Sequence, residues 1–401
     1  MENIQYSKLA GRLRRSEIRE LLKLTRTPDT ISFAGGLPDP EIFPDKPVEE
    51  ASVRAIREQG RLALQYSPTE GEPFFKEQIV EYCKRNGENV SMDQILVVSS
   101  SQQAIDLLAK IFIDEGDAVI IERPSYVGTI QSFRAFGADF HGVPLDQNGI
   151  IPEELEKKIT ELFSAGHRPR FIYVIPDFQN PSGINLSLER RKEILKIAAK
   201  HDLMIIEDSP YRELRYEGEL IPSIFSLDTD GRVIQMKTFS KIFTPGFRIG
   251  WMAAPLPVID KLVMAKQCTD LCTSAFTSMV AAYLMKDGYL EKQIEISKEI
   301  YSHKSTVMLE ALDKYMPKLD GLWWSKPEGG MFLWIHLPDY IDSVEMLTNA
   351  VDMKVAYVIG TCFYTDGSGR NEMRLNYSYP TEDQIRTGIE RLAQVIKSKS
   401  K

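Results

Sequence analysis

The chain has 401 residues, with 49 Lys and Arg against 57 Asp and Glu, a formal net charge of −8. At 43% hydrophobic and 26% charged residues its composition is that of a globular protein, which excludes a largely disordered or collagen-like chain. The acidic balance lacks the clustered Lys and Arg excess of a nucleic-acid-binding surface, so no nucleic-acid partner is expected.

The length suggests two or three domains. Four cysteines, without the short Cys and His repeats of a zinc site, make neither a disulfide framework nor a metal centre. The first residues, MENIQYSKLAGRLRRSEIRE, lack the apolar core of a secretory signal, and no run of about 18 apolar residues occurs. The expectation is a soluble, cytoplasmic protein without a membrane partner.

In chain order, the first notable element is Ser16-Glu17-Ile18-Arg19, where Arg19 alone reads equally as a solvated arginine opposite an Ile18, Leu21 and Leu22 face. Short apolar runs rich in β-branched residues then recur at 95–98, 118–121, 171–175, 203–206 and 233–236. Stretches with helical spacing separate several of them, such as Ala104, Leu107, Leu108 and Ile111, then Leu188, Ile194, Ile197 and Ala198. This alternation predicts an α/β fold, a mostly parallel sheet covered on both faces. After about residue 285 a long charged helical stretch leads to Trp323–Trp324, the Gly329–Gly330 pair and the strand-like run MFLWIHL. This part reads as a second, smaller α/β domain ending in the basic tail KSKSK.

In an open parallel sheet, ligands bind beyond the carboxyl ends of the strands, so the polar residues after each run are the informative ones. Ser99-Ser100-Ser101-Gln102-Gln103 follows the first run and opens a helix, an arrangement suited to a phosphate and equally to ordinary capping. Asp177-Phe178-Gln179-Asn180-Pro181 follows the run at 171–175, where Asn180 alone reads equally as a turn residue. Glu207-Asp208-Ser209-Pro210-Tyr211 follows 203–206, and Asp208 alone fits a helix cap or a buried ion pair. Lys237-Thr238-Phe239-Ser240-Lys241, then Arg248, follows 233–236. A lysine after a buried strand stands out, because a buried ammonium must be paired or used. Taken together, these strand ends meet the needs of pyridoxal 5′-phosphate: an amine for a Schiff base, a carboxylate for the pyridine nitrogen, donors for the ring oxygen and a phosphate cradle.

Over nearly its whole length the sequence resembles the fold-type I, class I/II pyridoxal-phosphate aminotransferases. The resemblance rests on FAGGLPDPEIFP, LQYSPTEG, SSSQQAIDLL, ERPSYVG, PDFQNPSG, EDSPY, TFSKIFTPGFRIGW and MRLNYS in order. The wording of the first two, with RSEIRELLKLT before them, is most similar to the 2-aminoadipate and multisubstrate branch. The resemblance implies a large domain with a mostly parallel seven-stranded sheet and a smaller α/β domain. The expected division is an arm and part of the small domain over 1–44, the cofactor domain over 45–285 and the small domain over 286–401.

The resemblance also implies roles. Lys241 would bind the cofactor covalently and shuttle the proton, Asp208 would pair with the pyridine nitrogen, and Tyr211 and Asn180 would hold the ring oxygen. Tyr126 would stack on the ring, and Ser100, Ser101, Gln102, Thr238, Ser240 and Arg248 would surround the phosphate. Tyr66 would reach the phosphate of a neighbouring subunit in a homodimer with shared active sites. Arg374 would clamp the substrate α-carboxylate with Asn180 and the Gly36 backbone, and Arg19 would contact a distal carboxylate. The implied reaction is ping-pong transamination between an α-amino acid (2-aminoadipate, glutamate, aromatic or aliphatic) and a 2-oxo acid such as 2-oxoglutarate. The same residues serve a β-lyase, but an arginine clamp that retains the carboxylate favours transamination over decarboxylation. A DNA-binding regulator with an aminotransferase-like domain is the non-enzymatic alternative, disfavoured by the acidic charge and by only about 30 residues before FAGGLP. One departure stands out. Ser100 occupies a place where this branch typically has glycine, so cofactor contacts would be altered there if that position needs a positive φ or a close approach of the phosphate. Binding is expected to survive, because the neighbouring phosphate residues are all present.

Overall fold

The run Ile95-Leu96-Val97-Val98 has no polar face, so it must be covered on both sides, and all four residues are buried. Fully burying each such side chain contributes about 1.5–3 kcal/mol relative to exposure. In the computed structural model, which describes residues 4–15 and 29–399, the run forms strand β2 (Ile95–Val98). A two-residue strand, β1 (Ile31–Ser32), precedes it. The main sheet continues with β3 (Ala118–Arg123), β4 (Asp139–Asp146), β5 (Gly149–Ile150), β6 (Phe171–Val174), β7 (Met204–Asp208), β8 (Val233–Thr238) and β9 (Gly250–Ala253), in the order β2-β9-β8-β7-β6-β3-β4-β5.

Seven of these strands have four residues or more, as expected, and β9 alone among the seven runs against its neighbours. An eighth, two-residue strand is added at the edge, because the chain reverses at Gln147 and Asn148 and pairs β5 antiparallel with β4. The apolar strands sit between two layers of helices. Ile120, Ile172, Val174 and Ile205 face the helices Pro152–Ser164 and Leu188–Lys200 through Leu155, Ile159 and Ile194. Ile121, Tyr173, Ile206 and Met236 face the other way, into the core shared with Ala104, Leu107 and Leu108 of the helix Ser100–Phe112.

The C-terminal part is built on the helix Tyr289–Tyr315 and a four-stranded antiparallel sheet. Its strands are β10 (Trp323–Trp324), β11 (Phe332–His336), β13 (Val358–Ile359) and β14 (Glu372–Asn376), in the order β10-β11-β14-β13. Strand β12 (Val355–Ala356) pairs in parallel with β1, which ties the segment before the large sheet to the far end of the chain. Among the described residues, no helix is long and apolar enough to cross a membrane.

The lysine directly after the apolar run 233–236 is paired. Lys237 Nζ lies 2.9 Å from Glu88 Oε2 and 3.2 Å from Glu213 Oε1, all three groups buried. Burial alone would push its ammonium down, but the two carboxylates more than offset this and hold it above the usual lysine range. The other lysine of the motif, Lys241, reaches a cavity.

Candidate active site

The loops after β2, β3, β6, β7 and β8 all leave from one edge of the sheet, because these strands point the same way. Antiparallel β9 begins at that edge, and this brings Arg248, two residues before it, to the same place. The convergence surrounds a cavity of about 690 Å³ lined by Gly36, Tyr126, Asn180, Tyr211, Lys241 and Arg374, among others.

At the carboxyl ends of β2 and β8 three hydroxyls form a ring. Ser100 Oγ lies 3.0 Å from both Thr238 Oγ1 and Ser240 Oγ, and Thr238 Oγ1 lies 3.0 Å from Ser240 Oγ. Arg248 Nη1 donates to Ser240 Oγ at 3.2 Å. Ser101 Oγ is buried without a partner at the start of the helix Ser100–Phe112, whose N-terminal N–H groups favour an anion. Gln102 lines the cavity and donates to Ser132 Oγ at 2.8 Å. The hydroxyls can approach because Gly250 has no side chain: a Cβ there would lie 2.5 Å from the Lys237 carbonyl oxygen and 3.3 Å from Ser100 Cα.

Asp208 ends β7 and is 2% exposed. Tyr173 donates its hydroxyl to Oδ2 at 2.7 Å, while Oδ1 is buried with no partner. Burial pushes this carboxyl up to about 7, against the Tyr173 hydrogen bond, which lowers it. Across the cavity, Asn180 Nδ2 donates to the Tyr211 hydroxyl at 3.3 Å. Tyr126 caps the helix Val127–Phe136. Its ring occupies its place only because residue 128 is glycine, where a Cβ would lie 2.5 Å from the ring.

Lys241 Nζ donates to the Gly36 carbonyl at 2.6 Å. Burial, then the positive charges of Arg374 and Arg248, push its amine down to about 8, toward the neutral form a nucleophile needs. Arg374, on β14, donates from Nη1 to Asn180 Oδ1 at 2.8 Å and from Nη2 to the Ala34 carbonyl at 3.0 Å. Its guanidinium lies over the Phe332 ring at 4.1 Å, and Nε has no partner. Burial lowers this guanidinium to about 10, which leaves it charged at neutral pH. Of the expected residues, Gly36, Gln102, Tyr126, Asn180, Tyr211, Lys241 and Arg374 line the cavity, whereas Ser100, Ser101, Asp208, Thr238, Ser240 and Arg248 are not among its lining residues. Tyr66 is 78% exposed on the surface of this chain, and Arg19 lies outside the described residues.

The sequence family described as aminotransferase class I and II matches residues 38–392. The chain belongs to this family. An aromatic-amino-acid aminotransferase 1 of Thermococcus litoralis is 44% identical over 397 residues, 99% of this chain and 95% of the relative. A 2-aminoadipate transaminase of Thermus thermophilus is 40% identical over 395 residues, 98% of this chain and 96% of the relative. The crystal structure of a Pyrococcus horikoshii kynurenine aminotransferase, at 45% identity, superposes with a TM-score of 0.95 over 99% of this chain and 98% of its own. This aminotransferase therefore has the fold-type I architecture and uses pyridoxal 5′-phosphate to transfer an amino group between an amino acid and a 2-oxo acid.

The residues present fit that cofactor. A buried carboxylate oxygen without a donor, Asp208 Oδ1, matches a protonated pyridine nitrogen. The unpartnered Ser101 hydroxyl and the Arg248 guanidinium have the chemistry that suits a phosphate dianion. When bound, the cofactor supplies an electron-accepting ring that stabilises negative charge at the substrate Cα.

Several residues that hold the candidate site together were not legible in the sequence. Tyr173 fixes the Asp208 carboxylate from the middle of an apolar strand, where its only signal is one hydroxyl among aliphatic neighbours. Glu122, pushed up to about 8 by burial, accepts from Ile175 N and Gln179 Nε2, both at 3.1 Å. Gln179 Oε1 in turn accepts from Ser182 N at 2.9 Å, so the pair fastens the loop that carries Asn180. Phe332, beneath Arg374, lies in a run that reads only as a strand.

Proposed function

We propose that this aminotransferase works through Lys241, Asp208, Asn180, Tyr211 and Arg374 on a broad set of donors, aromatic amino acids and 2-aminoadipate or glutamate among them, with 2-oxoglutarate as an acceptor. The observation that carries the reading is Arg374: its fork is anchored on Asn180 and the Ala34 carbonyl within the cavity that Lys241 also lines. A planar fork matches a carboxylate, so an α-carboxylate held there places Cα near the amine. Lys241 is the base placed to take the proton from substrate Cα and, as its conjugate acid, to return it on the cofactor side when the cofactor is bound. Asp208 keeps the pyridine nitrogen protonated, Asn180 and Tyr211 hold the ring oxygen, and Tyr126 covers the ring. Ser101, Gln102, Thr238, Ser240 and Arg248 hold the phosphate.

The breadth of donors is supported by a cavity mouth that mixes Leu13 and Leu37 with Arg12 and Arg14, and by relatives named for aromatic and 2-aminoadipate substrates. Arg19 is included as a further contact for a distal carboxylate. The reading extends to a homodimer in which Tyr66 serves the partner's phosphate, supported by the exposed Leu62, Leu64 and Tyr66 beside one another. A small domain formed by 1–44 with 286–401, around a large domain at 45–285, is supported by the pairing of β1 with β12. None of the four cysteines is in a disulfide, which supports a cytoplasmic location.

The test compares tyrosine with tyramine, which lacks the α-carboxylate, in the wild type and in Arg374→Lys. Lysine keeps the charge but loses the fork, so kcat/KM for tyrosine should fall roughly 100-fold while that for tyramine hardly moves. An unchanged preference for tyrosine in the variant would show that the carboxylate is held elsewhere. Release of ammonia in place of a 2-oxo acid and an aminated acceptor would favour the lyase alternative.

A further inference from the structure

Ser100 is in a costly conformation. Its φ is +72°, in the left-handed region that favours glycine, and it is 4% exposed. Glycine would relieve the backbone without crowding, so the hydroxyl is the part of serine that needs a reason. That hydroxyl has two partners, Thr238 Oγ1 and Ser240 Oγ, each at 3.0 Å.

We propose that Ser100 is a positioning residue of the phosphate cup, which turns the hydroxyl protons of Thr238 and Ser240 outward toward the phosphate monoester dianion of the cofactor. The inference rests on the assignment of Thr238, Ser240 and Arg248 to that phosphate. Three hydroxyls carry three protons, and in a closed ring each is spent on a neighbour. To donate outward, Thr238 and Ser240 must stop donating to each other, and each oxygen is then best held by a donor behind it. Ser240 Oγ has such a donor in Arg248 Nη1 at 3.2 Å. Thr238 Oγ1 accepts from Ser240 N at 3.2 Å, but it also has a competing acceptor in the Ile249 carbonyl at 3.4 Å. Ser100 has one proton to give, and because Ser240 Oγ already has Arg248 behind it, that proton falls to Thr238 Oγ1, whose outward bond the polarisation strengthens. Without it, the Thr238 proton can settle on Ile249 and the Ser240 proton on Thr238.

The experiment uses the full-length loaded enzyme, dialysed against graded pyridoxal 5′-phosphate or pyridoxal, with Ser100→Ala, Ser100→Gly and Arg248→Ala beside the wild type. Both Ser100 variants should bind pyridoxal 5′-phosphate roughly five- to thirty-fold more weakly. Pyridoxal, which lacks the phosphate, should bind them within two-fold of the wild type. The glycine variant guards against misfolding, since it removes the backbone strain along with the hydroxyl. Unchanged or tighter cofactor binding in Ser100→Gly overturns the proposal, as does an equal loss for pyridoxal, which would mean general damage to the fold. Weakening in Arg248→Ala alone sinks the Ser100 role and leaves the cup standing. No weakening in any variant sinks both.

Discussion

Lys241→Ala should lower kcat/KM for transamination by roughly 10⁴-fold or more, with melting of the protein little changed. The expectation is this large because the same amine is asked to bind the cofactor and to move the proton. No neighbour can stand in. Lys237 is four residues away, but its Nζ is buried, lies 2.9 Å from Glu88 and 3.2 Å from Glu213, and is held charged. A protonated amine is not a nucleophile. The fold should tolerate the change because the Lys241 amine makes its hydrogen bond to Gly36 O inside a cavity and anchors no packed core. Residual turnover within ten-fold of the wild type would mean that another group carries the chemistry.

Asp208→Asn should separate function from stability. The loaded enzyme should lose cofactor affinity by roughly 100- to 1000-fold, the scale expected when one partner of a buried charge pair is removed. The cofactor-free protein should move the other way with pH. Asp208 stands near 7 in the folded chain, above the ordinary aspartate value of about 3.9, so the folded state holds a proton that the unfolded state has released. Its stabilising contribution is complete below the unfolded value and is lost as pH rises through about 7. Asparagine does not titrate. The melting temperature of the cofactor-free variant should therefore gain on the wild type between pH 4 and 7 and hold that gain above it. A carboxylate kept in a place that destabilises the empty fold is what a functional site requires. Parallel melting curves at pH 5 and pH 8, with unchanged cofactor affinity, would contradict this account of Asp208.

Much of the site could be read from the chain because its residues follow the strands that carry them. The apolar runs at 95–98, 203–206 and 233–236 mark the strand ends, so Ser100, Asp208 and Lys241 could be placed together before any geometry was known. What could not be read is held by long-range contacts. Lys241 meets Gly36 across 205 residues, and Arg374 meets Asn180 across 194 and Ala34 across 340. Local spacing carries no trace of such pairs. The resemblance to a family placed Arg374; nothing in the residues around it did. Tyr173 and Glu122 stayed hidden for another reason. Each sits in an apolar strand, where a single polar atom looks like noise until its partner is seen. The substitution at Ser100 was visible, but its meaning was not, since neither its φ nor its two hydroxyl partners follows from the letters SSSQQ.

The central claim is that Lys241 is the residue that binds the cofactor. Borohydride reduction of the loaded enzyme, followed by proteolysis and mass mapping, tests it directly. The account predicts one pyridoxyl-phosphate group per chain, on the peptide containing Lys241. Modification at Lys237 or any other lysine, or none at all in a loaded and active enzyme, would contradict it.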